Sequence, residues 1–237
     1  MTTTRHAPAA NRLASSARSR APRATLATVL IAFLGLSALS LVAWPARAGI
    51  FESIAGGTAG SPLAGLAGLV AERGLLVLVA VVAALVLYTW FRDRPGFVLL
   101  TAAGAGTVAA YATSEVVKLA VTEERPCRAI DVATVLACPA PGDWSWPSNH
   151  STIAGALAVA CLLAVPRLWP VVVPLALAVA GARVAAGVHY VHDVASGLAL
   201  GAAVTCLVAL VVHAGAQRFT RRSTSRRSPA ARRTTGR

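Results

Sequence analysis

Residues 147–213 read PSNHSTIAGALAVACLLAVPRLWPVVVPLALAVAGARVAAGVHYVHDVASGLALGAAVTCLVALVVH. Within this stretch three apolar runs, 151–168, 170–187 and 194–213, follow one another with only short breaks. Each run approaches the ~20 mainly apolar residues that cross a bilayer as a helix. The first break, Pro166-Arg167-Leu168-Trp169-Pro170, is a tight turn with two helix-breaking prolines. The second contains His189, with Arg183 just before it and Asp193 just after. Polar and charged groups at the margin of apolar helices are costly to keep there and mark function.

The pattern continues towards the N-terminus, with further apolar runs near 24–44, 74–91 and 96–118. The chain is 56% hydrophobic with a mean hydropathy of +0.66, more than a soluble domain carries. The predicted fold is therefore all-α, a polytopic membrane helix bundle with six transmembrane helices. One membrane domain is expected at 24–213, between basic tails 1–23 and 214–237 that read as disordered. Gly197-x-x-x-Gly201 in the last run permits close helix contact.

The net charge of +13 lies entirely in the tails, which carry five and eight arginines and no acid, so residues 24–213 are balanced. Basic ends flanking apolar spans follow the positive-inside rule, which places both termini in the cytoplasm of a plasma-membrane protein. The tails suit anionic headgroups, and no nucleic-acid partner is expected. Six spans then put the connectors Arg92-Asp93-Arg94 and Arg167 inside, and the loops 45–73, 119–150 and 188–193 outside. Ala46-Arg47-Ala48 also allows the first run to be read as a cleaved signal peptide, with the same sidedness downstream. Cys161 and Cys206 lie in apolar runs as packing residues. Cys127 and Cys138 share a polar outer loop and pair if it faces an oxidising compartment.

Three polar groups fall on the outer side in this topology: Lys118 with Arg125-Pro126, Pro147-Ser148-Asn149-His150, and Arg183 with His189 and Asp193. Lys118, Arg125 and Arg183 bring three cations with no acidic cluster to neutralise them all. Arginine forks match phosphate oxygens and lysine adds a point charge. Ser148 adds a hydroxyl, and the amides of Asn149 and His150 at a helix start add backbone donors. His189 and Asp193, four apart, share a helical face, so the carboxylate can orient an imidazole whose other nitrogen attacks phosphorus. His150 remains as general acid.

Lys118-x6-Arg125-Pro126, Pro147-Ser148-Asn149-His150 and Arg183-x5-His189-x3-Asp193 resemble, in order, the three motifs of the type 2 phosphatidic acid phosphatase superfamily, over roughly residues 74–213. The resemblance implies a six-helix membrane bundle and a site without metal or cofactor. It assigns His189 as nucleophile, His150 as acid and Asp193 as orienter. Lys118, Arg125, Ser148, Asn149 and Arg183 fall to phosphate binding. The implied substrate is a lipid phosphate or diphosphate in the bilayer, with an undecaprenyl-type diphosphate favoured and phosphatidate or phosphatidylglycerol phosphate as alternatives. Two positions depart from the family pattern: Asn149 stands where glycine is usual, and Ala182 where serine is usual.

Each residue also has a plainer reading. Lys118 and Arg183 suit snorkelling helix ends. Arg125 suits a pair with Glu123 or Glu124, and Glu115 a pair with Lys118 one turn away. His192 reads as a neighbour of the site, His213 as an inner-interface residue and His6 as tail. Trp144 and Trp146 suit an aromatic belt. A small transporter would spread its charges over several depths, whereas these gather at one surface. A vanadate-holding haloperoxidase would show vanadate-dependent halide oxidation, and a membrane assembly protein would tolerate loss of His189. The oligomeric state is not readable from these patterns.

Overall fold

The computed structural model describes the backbone of residues 9–227 and the side chains of 26–212, 214 and 215. His6 and the side chain of His213 lie outside the described residues. Among those described, all regular structure is helical and no strand is present.

In chain order the helices are α1 (Ala9–Ala43), α2 (Arg47–Phe51), α3 (Gly57–Ala59), α4 (Ala64–Arg92), α5 (Arg94–Val121), α6 (Pro126–Ala129), α7 (Asn149–Ala164), α8 (Trp169–Ala185) and α9 (Val191–Arg227). A π turn, Glu52–Gly56, joins α2 to α3. Local chemistry sets the breaks. Asp93 leaves helical geometry two residues before Pro95, separating α4 from α5. Thr122 ends α5 in the left-handed region at φ 51°. Val165 adopts extended geometry before Pro166, as pre-proline residues favour, and so ends α7. Gly187, at φ +85°, turns the chain between α8 and α9, and a Cβ there would lie 2.6 Å from that of Thr134.

Among the described residues, five helical stretches are long and apolar enough to cross a membrane: Leu26–Ala43, Ala64–Arg92, Arg94–Ala129, Pro166–Ala185 and Val191–Val212. The expected sixth, α7, is apolar but only 16 residues long. At 1.5 Å per residue it reaches roughly 24 Å, short of the ~30 Å hydrocarbon thickness. It packs against α9, α5, α8 and α4, which surround it. Most of its residues from Ser151 to Cys161 are buried, so its short length leaves little backbone facing lipid. The second span begins at Ala64, ten residues earlier than expected, because the helix accommodates Glu72 and Arg73 on an exposed face. Helices α2 and α3 occupy the rest of the expected 45–73 loop.

Glycine sets the closest helix approach. A Cβ on Gly197 would lie 2.6 Å from the Ser148 carbonyl oxygen, and one on Gly201 would overlap the carbonyl oxygen of Thr152. The Gly197-x-x-x-Gly201 stripe thus lays α9 directly on the first turns of α7. Large apolar side chains such as Ile31, Leu41, Leu87, Val108, Leu119 and Leu207 point outward. Small residues fill the interior, as in membrane bundles, where close packing drives helix association.

Candidate active site

Contact between α7 and α9, and between α5 and both, brings the ends of four long helices together. Lys118 sits in the last turn of α5 and Arg125 just beyond it. Ser148 precedes α7 and His150 lies in its first turn. Arg183 is in the last turn of α8, His189 follows Gly187, and Asp193 is in the first turn of α9. Lys118, Arg125, Ser148, Arg183, His189 and Asp193 are all buried, and His150 is half-buried.

His189 is held at both ring nitrogens. Its Nδ1 lies 3.2 Å from Asp193 Oδ2 and 3.4 Å from Ser145 Oγ. Its Nε2 lies 3.0 Å from Arg125 Nη1, which also donates to the Val188 carbonyl. A guanidinium has no acceptor, so Nε2 must present its lone pair, and the ring proton sits on Nδ1 facing Asp193. Burial pushes His189 down to about 3, against the pull of Asp193, with Arg125 and Arg183 adding to the depression. The imidazole is therefore a neutral base with Nε2 directed at the cations.

Asp193 is itself tightly held. Its Oδ2 accepts from Ser145 Oγ and from the Tyr190 amide at 2.8 Å. Its Oδ1 lies 3.0 Å from His192 Nε2, which is also 3.1 Å from Glu123 Oε2. His192 is enclosed by Trp44 in an edge-on arrangement and by the stacked Tyr190 ring, with ring centroids 4.5 and 5.3 Å away. Glu123, His192 and Asp193 form a donor set of the kind that holds metals, whereas none is expected from the sequence. Both carboxylates approach the same imidazole nitrogen, but the hydrogen bonds of His192 Nε2 go to Glu123, while Asp193 Oδ1 lies close without a hydrogen bond among the described residues.

The cations form the other half of the site. His150 lies in the field of Arg183, Arg125 and Lys118. Ser148 Oγ and Arg183 Nε are buried without a hydrogen-bond partner among the described residues. Buried donors of this kind suit an anionic ligand. Asn149 adopts helical backbone at the start of α7. Its side chain is spoken for: Ser114 Oγ donates to its Oδ1 at 2.7 Å, and its Nδ2 donates to Glu115 Oε1 at 2.6 Å. Its backbone amide, at the helix start, is the group left for a phosphate role.

Arg125 does not pair with Glu123 or Glu124. Glu123 is drawn to His192 and Arg47, and Glu124 to Arg128. Arg125 instead grips Asp143, through Nη2 to Oδ1 at 2.9 Å and Nε to the backbone oxygen at 2.8 Å. Lys118 Nζ reaches the same Oδ1 at 3.5 Å, besides Glu115 at 3.9 Å. Two of the three cations thus have an acid among them that the motifs do not announce. Partial burial works to raise the Asp143 carboxyl, but Arg125 and Lys118 hold it below the usual carboxylate range. Asp143, Ser145 and Glu123 all come from the 119–150 segment, whose spacing has no periodicity to read. Cys127 and Cys138 are bonded to each other in this segment, just after Arg125. Cys161 and Cys206 are free and buried.

The family model described as PAP2 superfamily matches residues 73–216. A decaprenylphosphoryl-5-phosphoribose phosphatase of Mycobacterium tuberculosis (strain CDC 1551 / Oshkosh) is 39% identical over 111 residues, 45% of this chain and 57% of that protein. An undecaprenyl-diphosphatase of Sulfolobus acidocaldarius is 36% identical over 101 residues, 42% of this chain and 48% of that protein. The chain spans about half the length of these curated relatives. In fold it is similar to a transmembrane PAP2-type phosphatidylglycerolphosphate phosphatase from Bacillus subtilis. That structure has a TM-score of 0.51 at 21% identity, covering 81% of this chain and 96% of that one. The three motifs, from Lys118 to Asp193, all lie within the matched residues, and the chain belongs to the PAP2 superfamily.

Proposed function

We propose that this chain hydrolyses a lipid phosphate or diphosphate without a metal, through a phosphohistidine intermediate on His189, at the outer face of a plasma membrane. The observation that carries the reading is the fixed polarity of His189, with Nδ1–H on Asp193 and Nε2 directed into a buried group of cations.

In the first step His150, kept neutral in the free site by burial and the cations around it, takes up a proton as the phosphate anion binds. Nε2 attacks phosphorus, the bond from phosphorus to the lipid oxygen breaks, and His150 gives that oxygen the proton. Asp193 accepts the Nδ1–H bond as the imidazole becomes cationic. Lys118, Arg125 and Arg183 stabilise charge on the transferring phosphoryl group, and Ser148 and the α7 amides donate to its oxygens. In the second step His150 takes a proton from water, the water oxygen attacks phosphorus, and the P–N bond breaks. Inorganic phosphate leaves and His189 returns to its neutral form.

The outer-face assignment rests on the arginine-rich ends and on the Cys127–Cys138 bond beside the site, since disulfides persist in oxidising compartments. A polyprenyl diphosphate is the favoured substrate, because two relatives are named for polyprenyl-linked phosphates. Phosphatidate and phosphatidylglycerol phosphate are the alternatives.

The test is phosphate release by detergent-purified protein with EDTA present, from undecaprenyl diphosphate, decaprenylphosphoryl-5-phosphoribose and phosphatidate in parallel. Release that resists EDTA and is lost in His189→Ala is expected, fastest from a polyprenyl substrate. Release abolished by EDTA, or equal in the variant, would contradict the mechanism.

A further inference from the structure

Among the described residues, Asp143 is the acid that two of the proposed phosphate-binding cations share, whereas Glu115 reaches Lys118 alone, at 3.9 Å. Asp143 Oδ1 takes Arg125 Nη2 at 2.9 Å and Lys118 Nζ at 3.5 Å. His150 and Arg183 also feel its charge. The two partners differ sharply in exposure: the Arg125 and Lys118 side chains are 5% and 6% exposed, whereas that of Asp143 is 48% exposed. It belongs to a surface turn, closed by the Asp143 amide on the Ala140 carbonyl, with Gly142 at φ +87°. A half-exposed carboxylate can leave for water at little cost, whereas buried cations cannot be left unpaired.

We propose that Asp143 is a resident counter-anion of the phosphate site, displaced from Lys118 and Arg125 when a phosphate group binds and returning to them as inorganic phosphate leaves. The proposal rests on the hydrolase reading for its biological sense, but its test needs no turnover. In the free protein the carboxylate neutralises cations that burial would otherwise destabilise. In the bound state two phosphate oxygens take over the Nη2 and Nζ donors, while the Nε bond to the Asp143 carbonyl can persist and hold the loop in place. Because carboxylate and phosphate compete for the same donors, Asp143 weakens binding of any phosphate, the product included. A site of three cations without this competitor would retain its product.

The experiment is a titration of the detergent-solubilised full chain with inorganic phosphate, followed by isothermal calorimetry or 31P line broadening. The parent, Asp143→Asn and Asp131→Asn are compared. Asparagine keeps the size and the backbone carbonyl while removing the charge. Asp131→Asn removes the same charge from the same segment, at an exposed position with no ion pair to these cations among the described residues. Asp143→Asn is expected to bind phosphate about ten-fold more tightly, the order expected when one charge competitor is removed, with less than two-fold change in Asp131→Asn. Asp143→Ser serves as a second neutral variant if the asparagine protein melts early.

An unchanged or weaker affinity in both neutral variants would overturn the proposal and make Asp143 a support for Arg125. So would an equal gain in Asp131→Asn, or no phosphate binding by any variant. If the parent releases no phosphate from lipids while Asp143→Asn still binds the free anion more tightly, the hydrolase reading fails and the counter-anion stands.

Discussion

Arg125 Nη1 lies 3.0 Å from His189 Nε2, so the arginine proposed to hold phosphate hydrogen-bonds the very atom proposed to attack phosphorus. The contact fixes the tautomer and aims the lone pair, and it must open as the guanidinium turns to phosphate. Lysine at this position offers charge without the fork. Arg125→Lys is expected to lower kcat/KM on the order of 10²-fold, with Arg125→Ala lower still. Steady-state kinetics on the preferred lipid check this, and near-parental activity in Arg125→Lys would show that charge alone suffices.

Asp193 is gripped by Ser145 from a segment distant in sequence. Removing that one hydroxyl leaves the carboxylate with the Tyr190 amide and the His189 Nδ1–H. Ser145→Ala is expected to cost about ten-fold in kcat with little change in KM, in line with one lost hydrogen bond. Asp193→Asn, which disturbs the tautomer itself, is expected to cost on the order of 10³-fold or more. Equal effects of the two substitutions would argue against an orienting role.

Burial holds His189 down to about 3, against an ordinary histidine value near 6.5. The sign follows from the depressed folded value: the unfolded chain takes up a proton that the folded site refuses. This group's contribution to stability is therefore present above about pH 6.5 and declines as pH falls towards 3. In 15N-histidine spectra of the free protein, the His189 signal, identified by its loss in His189→Gln, is expected to stay neutral to pH 5. A midpoint near 6.5 would mean that the site is wetter than its packing indicates.

The Cys127–Cys138 bond closes a short loop directly after Arg125. Loss of such a cross-link costs about 2–3 kcal/mol in the chain-entropy picture, concentrated here in the 119–150 segment. The double serine variant is expected to melt earlier and to show a raised KM, read by thermal denaturation and kinetics in detergent. Unaltered KM with a lower melting temperature would separate the bridge from the phosphate site.

Gly201 has the Thr152 carbonyl against it, where a side chain has no room. Gly201→Leu is expected to destabilise the fold by about 1–3 kcal/mol or more and to reduce activity, by lifting α9, and with it Asp193, from α7. Gly104, with open space around it, is the control position for the same substitution. Comparable losses at both glycines would remove the packing explanation.

Much of this was legible in the sequence, and what was not has a physical cause. Apolar runs marked every long helix, since hydropathy is set residue by residue. Their ends were less legible: α4 starts at Ala64 because charged Glu72 and Arg73 can lie on an exposed helix face. Helix α7 is shorter than its apolar run because Val165-Pro166 ends it, and enclosure by neighbouring helices lets so short a helix keep little backbone towards lipid. The motifs named the histidines and cations, since spacing at helix ends is a local property. Partners within the 119–150 segment were not readable, because contacts such as Arg125 with Asp143 or Ser145 with Asp193 depend on how an irregular loop folds back. The plainer reading of Arg125, a pair with Glu123 or Glu124, does not match the structure for this reason: those neighbours in sequence are taken by His192, Arg47 and Arg128.

The most direct test of the central claim is to trap the covalent intermediate. Protein would be mixed with undecaprenyl diphosphate labelled in its terminal phosphate, quenched in base, digested and mapped by mass spectrometry. His150→Ala would be run alongside, because the lipid phosphate leaving from a diphosphate needs little acid help whereas water must still be activated, so loss of His150 should slow the second step more and let the intermediate accumulate. Label on the His189 peptide, stronger in His150→Ala and absent in His189→Ala, is the expected result. Steady turnover with no label on His189, or label on another side chain, would contradict the assignment of His189 as nucleophile.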